Sequence, residues 1–124
     1  VWLIAIEQVP MSQTDKYGII AGNLIAGTDD CYRVTDMVEK PEPKDAPSNM
    51  AIIGRYILTP DIFDILRTTT PGKGGEIQIT DALLNQAKQG KVIAYKFKGR
   101  RFDCGSVEGY VKATNHFAKQ YGIT

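Results

Sequence analysis

The sequence predicts an α/β fold with a mixed sheet and an antiparallel excursion. The apolar runs Val1–Val9 and Ala51–Leu58 are apolar on both faces, as central, covered strands are. Between them, Tyr17–Ala21 and Cys31–Glu39 are strand-like runs joined by the turn signals Gly22-Asn23 and Gly27-Thr28-Asp29-Asp30, which is the pattern of an antiparallel excursion. After Leu58 the pattern becomes helix, helix, strand, helix, and such alternation belongs to α/β proteins.

Taken in order, Val1–Val9 is a strand with Trp2, Ile4 and Ile6 on one face and Leu3 and Ala5 on the other. Pro10–Lys16 is a polar connection with room for one helical turn. In Cys31–Glu39, Tyr32, Val34, Asp36 and Val38 alternate against Arg33, Thr35 and Met37, and Pro41 stops the ladder because it lacks the N–H a central strand needs. Pro41–Asn49 holds three prolines and reads as a loop. In the Ala51–Leu58 strand, Gly54 suggests close approach of another backbone or a ligand. Thr59-Pro60-Asp61 predicts a helix start, with Thr59 as N-cap and Ile62, Phe63, Ile65 and Leu66 as the apolar stripe. Thr68–Gly75 is a loop. Thr80 or Asp81 caps a second helix that turns Leu83, Leu84 and Ala87 inward and ends at Gly90. Lys91–Lys98 alternates as a strand. Ser106 caps the last helix, whose stripe is Val107, Tyr110, Val111, Thr114, Phe117, Ala118 and Tyr121.

Composition sets limits on function. The chain has 124 residues, one ordinary domain, and a formal net charge of +1, which excludes the basic footprint of a nucleic-acid binder. No apolar run is long enough to span a bilayer, so no membrane partner is expected. The opening residues read as a strand without a basic leader. Because the chain opens inside such a strand without Met, it is expected to be a piece of a longer protein. The two cysteines, Cys31 and Cys104, lack metal spacing and read as reduced thiols of a cytoplasmic protein.

The chemistry gathers at Met37-Val38-Glu39-Lys40-Pro41. Glu39 and Lys40 stand at a strand's C-terminal end, the edge where open α/β sheets bind ligands. A carboxylate accepts from sugar hydroxyls and an ammonium meets phosphate as a point charge, so the pair suits a sugar phosphate. The same residues also suit an exposed charge pair closing a strand. Asp103, between the last strand and the last helix with small Cys104 and Gly105 beside it, suits a magnesium ligand or an ordinary turn and cap aspartate. Gly18 can offer a backbone N–H to a hydroxyl, or can mark a bulge. Arg100 and Arg101 face phosphate or solvent. His116 reads as an exposed helix residue and Cys104 has no histidine partner by any local signature. Gly72-Lys73-Gly74-Gly75 lacks the strand-then-helix setting of a phosphate loop and reads as a flexible tip.

Together these segments resemble one family. Tyr17-Gly18-Ile19-Ile20, Met37-Val38-Glu39-Lys40-Pro41, the run Ala46-Pro47-Ser48-Asn49-Met50-Ala51-Ile52-Ile53-Gly54-Arg55-Tyr56, Pro71-Gly72, Gly75-Glu76-Ile77-Gln78-Ile79-Thr80-Asp81-Ala82 and Phe102-Asp103-Cys104-Gly105 look, in order, like the C-terminal half of the bacterial UTP–glucose-1-phosphate uridylyltransferases. The Ala-Pro-Ser-Asn and Glu-Ile-Gln-Ile-Thr-Asp-Ala segments are specific to that family; Glu-Lys-Pro is shared by sugar-phosphate nucleotidyltransferases generally. Ser106 departs from the Asn that many members carry.

The resemblance implies that residues 1–124 are the C-terminal, sugar-phosphate-binding part of a Rossmann-like nucleotidyltransferase fold, without the N-terminal nucleotide-binding part. It implies formation of UDP-glucose and pyrophosphate from UTP and α-D-glucose 1-phosphate, with Mg2+ as cofactor and a homo-oligomeric full-length protein. Glu39 is then expected to bind glucose hydroxyls, Lys40 to serve as the catalytic lysine on the sugar phosphate, Gly18 and the main chain around Ile52 to line the sugar pocket, and Asp103 to be one of two aspartates on the metal. Such a displacement needs positioning and charge stabilisation, not a nucleophile or general base, which agrees with the lack of either here. A non-catalytic sugar-phosphate or sugar-nucleotide binding module and a glucose-1-phosphate thymidylyltransferase are the alternatives. An assembly role for the last helix is a further one.

Overall fold

The strand β1 (Trp2–Gln8) sits between two others in the computed structural model, which describes residues 1–123. It pairs antiparallel with β4 (Met50–Ile57) and parallel with β5 (Val92–Lys96). The opening strand is therefore central, as its two apolar faces predict. β2 (Gly18–Leu24) and β3 (Cys31–Glu39) form the antiparallel excursion. That excursion is not peripheral. β2 also pairs with β4 through Ile19 and Ile20, and Cys31–Arg33 of β3 pair with β5. The sheet is mixed and closes on itself in the order β1-β4-β2-β3-β5. An open-sheet crevice is therefore not what places the ends of the strands.

The described residues include three α-helices: α1 (Ile62–Thr68), α2 (Ile79–Lys88) and α3 (Val107–Gln120). α2 packs on β3, and its Ala82, Leu83 and Ala87 enter a core shared with Trp2, Ile4, Ile6, Ile20, Val34 and Val92. Each large aliphatic chain fully buried there contributes about 1.5–3 kcal/mol. Polar connections form short 3₁₀ turns at Met11–Lys16 and Pro43–Asp45. The Gly-rich Lys73–Gly75 segment is a third such turn, with Gly74 at a φ of 77°.

Two bulges depart from the simple alternation. Ala21 lies opposite Asp36 and Gly22 opposite Val34, so Thr35 is an extra residue and the phase of β3 slips there. Val34 and Met37 are consequently both buried, while Val38, expected on the Val34 face, is 38% exposed. Gly22 and Asn23 belong to β2 and not to a turn; a Cβ at Gly22 would stand 2.8 Å from the Arg33 carbonyl oxygen. On the other side, Ile4 to Ile6 spans two positions of β1 against four of β4, Ile52 to Tyr56. Gly54 lies in this bulge with a φ of 81° and open space beside it. It supplies the left-handed backbone of the bulge, and no other backbone among the described residues approaches it closely.

The helices depart too. α1 starts after Asp61, because Thr59 is engaged elsewhere: its hydroxyl accepts from Trp2 Nε1 at 2.7 Å and donates to the Asp61 carboxylate. That bond from Thr59, with help from Trp2, holds Asp61 below the usual carboxylate range. Ile62, Ile65 and Leu66 pack inward, but Phe63 is exposed. In α3 only Ala113 is buried. The predicted stripe is largely exposed at Val107, Tyr110, Val111, Phe117 and Tyr121, because α3 continues past the barrel and does not lie on it. His116 is half-buried between Phe102 and Phe117, both at 5.1 Å between ring centroids, and not an exposed helix residue.

Ser106 caps α3 as predicted, its Oγ accepting from the Gly109 N–H at 3.0 Å. Gly109 has a second reason to be glycine: a Cβ there would lie 1.8 Å from the Asp103 carbonyl oxygen. The loop before α3 is thus seated on the first turn of the helix. Gly109→Ala must push that loop away, a destabilisation of about 1–3 kcal/mol for overpacking a close contact. Thermal denaturation should show a lowered Tm; an unchanged Tm would contradict this seating.

Candidate functional site

The strand pair β2–β3 builds the centre of the site. Gly18 and Glu39 are opposite each other at the end of the pair. A Cβ at Gly18 would stand 3.2 Å from Ile52 Cδ1 and 3.3 Å from Glu39 Oε2, so only glycine leaves both side chains their places. Gly18, Glu39 and Ile52, all expected in the sugar pocket, line one cavity of about 220 Å³ together with Lys16, Tyr17, Gly54, Tyr56 and Thr80.

The carboxylate in this cavity has a fixed partner. Thr80 Oγ1 donates to Glu39 Oε2 at 2.7 Å. Thr80 lies inside the first turn of α2 and is buried, so its hydroxyl serves Glu39 and not the end of the helix. Neither Thr80 nor Asp81 caps α2; Gln78 precedes it. Tyr56 also faces the cavity. Burial, and then the charge of Glu39, push its phenol up, so it stays protonated and able to donate. Thr80 and Tyr56 were missed as site residues. The Thr80 signal lay in the Gln-Ile-Thr-Asp segment, where a helix-start pattern hid a contact forty-one positions away in sequence.

Lys40 is the next residue but not in the same cavity. With Glu39, Gly74, Glu76 and Gln78 it lines an adjoining cleft of about 280 Å³. Lys40 is exposed and has a φ of 48°, the one non-glycine residue in the left-handed region among the described residues. That conformation costs a β-carbon residue about 1–2 kcal/mol. The Lys40 N–H compensates in part by donating to the Tyr17 carbonyl at 2.9 Å, and buried Pro41 follows. The turn directs successive side chains into neighbouring hollows, where a straight strand would send them to opposite faces. Lys40 forms no ion pair among the described residues.

Asp103 lies apart. It lines a third hollow, of about 480 Å³, with Ala5, Ile53, Arg55, Phe97, Arg100, Arg101 and Phe102, which shares no lining residue with the Glu39 cavity. Its Oδ1 accepts from the Gly105 N–H at 2.9 Å in a tight turn, and the side chain is exposed. No group of three potential ligands that could hold a metal occurs among the described residues. The donor set therefore fits one carboxylate ligand of a hard cation and no more.

Of the two arginines, Arg100 is exposed, as one of the two expectations has it, whereas Arg101 is half-buried and bonded. Arg101 reaches both oxygens of Glu7 at 3.3 Å and the Tyr17 hydroxyl at 2.9 Å. Burial opposes its charge, but these bonds overcome that and hold its pKa above the ordinary value. Arg100 stacks over Phe102 at 4.8 Å. Arg101 thus ties the Asp103 loop to Tyr17, whose next residue forms the floor of the Glu39 cavity. Cys31 and Cys104 are free thiols, and burial raises the pKa of Cys31. No helix among the described residues is long and apolar enough to cross a membrane.

With this geometry established, known proteins place the chain. A UTP–glucose-1-phosphate uridylyltransferase of Pseudomonas aeruginosa is 67% identical over 113 residues, covering 91% of this chain and 40% of its own length. The crystal structure of a UDP-glucose pyrophosphorylase complexed with UDP-glucose superposes with a TM-score of 0.88 at 57% identity, over 96% of this chain and 44% of that one. A UTP-bound UGPase from Acinetobacter baumannii follows with a TM-score of 0.80 at 36% identity, over 97% of this chain and 40% of that one. The chain spans about 40% of the length of the curated relatives it matches. The family model described as nucleotidyl transferase matches residues 1–120, and the chain belongs to that family.

Proposed function

We propose that this chain carries the sugar-phosphate side of an enzyme that forms UDP-glucose and pyrophosphate from UTP and α-D-glucose 1-phosphate. The observation that carries the reading is the convergence of Gly18, Glu39 and Ile52 on one cavity, with Lys40 turned into the adjoining cleft. A carboxylate beside a small, partly apolar hollow accepts from sugar hydroxyls, while the ring lies over Ile52 and the Gly18 backbone. The Lys40 ammonium, one residue on and unpaired by any described acid, meets the phosphate. Residues 1–124 are then the C-terminal, sugar-phosphate-binding part of the nucleotidyltransferase domain, and the nucleotide-binding part lies in the remainder of the parent protein. The names of the relatives support uridylyl over thymidylyl transfer. Nothing in the site favours a binding module without catalysis.

The reaction is an in-line displacement. An oxygen of the sugar phosphate attacks the α-phosphorus of UTP, the bond to the β-phosphate bridge breaks, and its electron pair leaves with pyrophosphate. Glu39, Gly18 and Ile52 hold the sugar so that its phosphate points toward the nucleotide. Lys40 catalyses by neutralising charge on that phosphate as it attacks. Asp103 would hold a Mg2+ ion, which would supply charge neutralisation on the phosphate oxygens when bound. A cytoplasmic setting agrees with free thiols and with nucleotide substrates. The exposed aromatic stripe of α3 supports a homo-oligomeric parent.

In the full-length enzyme, Lys40→Ala should lower kcat/KM by an amount corresponding to about 2–4 kcal/mol, the cost of removing a charged contact to a transferring phosphate. Steady-state kinetics with both substrates would check this, and a change of less than about threefold would sink the assignment, since it is under 1 kcal/mol.

Asp103→Asn should remove most metal-dependent turnover and leave the Tm nearly unchanged, because Asn keeps the acceptor for the Gly105 N–H but not the charge. Titrating the variant with Mg2+ while following UDP-glucose formation would decide; wild-type turnover in the variant would contradict the role.

A further inference from the structure

We infer that Thr80 is a positioning residue that fixes the Glu39 carboxylate and thereby sets which hydroxyls of a hexose 1-phosphate the cavity accepts. The inference rests on the sugar-binding reading proposed above.

Thr80 is 8% exposed and its Oγ1 donates to Glu39 Oε2 at 2.7 Å. Threonine in a helix has two χ1 rotamers open to it, and burial together with the bond to Glu39 holds this one in place. It stands on α2, which is anchored in the core through Ala82, Leu83 and Ala87. A Cβ at Gly18 would come within 3.3 Å of the same oxygen, so glycine there leaves the carboxylate the place in which Thr80 holds it. Oε2 is therefore held by the Thr80 hydrogen bond, and Oε1 is left as the oxygen with full capacity to accept. Tyr56, kept protonated beside Glu39, lines the same cavity from β4.

The consequence is selectivity. A carboxylate free to rotate can follow a hydroxyl whether it is axial or equatorial. A clamped one accepts only where its open lone pairs point, and a hydroxyl of the other configuration leaves it unpaired in a half-buried site. Sites built to hydrogen-bond a particular substrate hydroxyl discriminate strongly for this reason. Thr80 touches no substrate in this account. It acts through Glu39.

The test is steady-state kinetics on the full-length enzyme with saturating UTP and either glucose 1-phosphate or its epimer galactose 1-phosphate. Thr80→Val keeps the shape and loses the donor. It should raise KM for glucose 1-phosphate about tenfold, the loss expected for one hydrogen bond to a charged group. It should also narrow the preference for glucose over galactose 1-phosphate, and leave KM for UTP and kcat nearly unchanged. Thr80→Ser restores the donor and should restore both KM and preference. An unchanged epimer preference in Thr80→Val, or equal losses for both substrates that Thr80→Ser does not rescue, would overturn the inference. Should Thr80→Val fail to fold, Thr80→Ser against Thr80→Cys gives the same comparison, because a thiol is a weak donor. A wild-type enzyme that does not turn over glucose 1-phosphate overturns the underlying reading. An active wild type with an unaltered Thr80→Val overturns this inference alone.

Discussion

The hydrogen bond from Thr80 to Glu39 joins the two parts of the fold that the site needs. Glu39 ends β3, and Thr80 begins α2, the helix that packs on that strand. A carboxylate in a half-buried hollow is costly unless something donates to it, because its lost water must be replaced. Thr80 replaces it from a rigid helix. Gly18 gives the carboxylate room, Tyr56 borders it with a protonated phenol, and the cavity forms around these neighbours.

Backbone irregularity does the remaining placement. The Thr35 bulge brings Val34 and Met37 both into the core, so β3 is anchored before it reaches Glu39. The left-handed turn at Lys40 then departs from the strand under the constraint of buried Pro41 and the bond to the Tyr17 carbonyl. Strain of this size persists where the surroundings over-determine it, and such positions gather at functional sites. Arg101 joins Glu7 of β1 to the Tyr17 hydroxyl. The Asp103 loop and the Glu39 cavity, though separate hollows, therefore share a common brace.

Much of this was legible in the sequence. Strand β3 runs over the predicted Cys31–Glu39, and β1 and β4 differ from expectation only at their ends, because long apolar runs leave one way to bury them. Gly18, Glu39 and Ile52 were legible as a group through the family resemblance, and their convergence in one cavity follows from the β2–β3 and β2–β4 pairings. What the sequence hid depends on partners distant along the chain. Thr59 and Thr80 both carry helix-start chemistry, yet each hydroxyl is taken by a tertiary partner, Trp2 and Glu39. Periodicity has no term for such a partner. It also cannot count a bulge, which is why Val38 was put on the wrong face. The α3 stripe shows the opposite limit: a 3.6-residue pattern marks an apolar face but does not say what covers it.

The central claim is that the Glu39 cavity is the sugar site. A crystal structure of the full-length enzyme with UDP-glucose tests it most directly. The account predicts the glucose ring between Gly18 and Ile52, with glucose hydroxyls within about 3.2 Å of the Glu39 carboxylate, the reach of a hydrogen bond, and Thr80 still bonded to its other oxygen. A glucose ring bound elsewhere, with no hydroxyl in reach of Glu39, would contradict it.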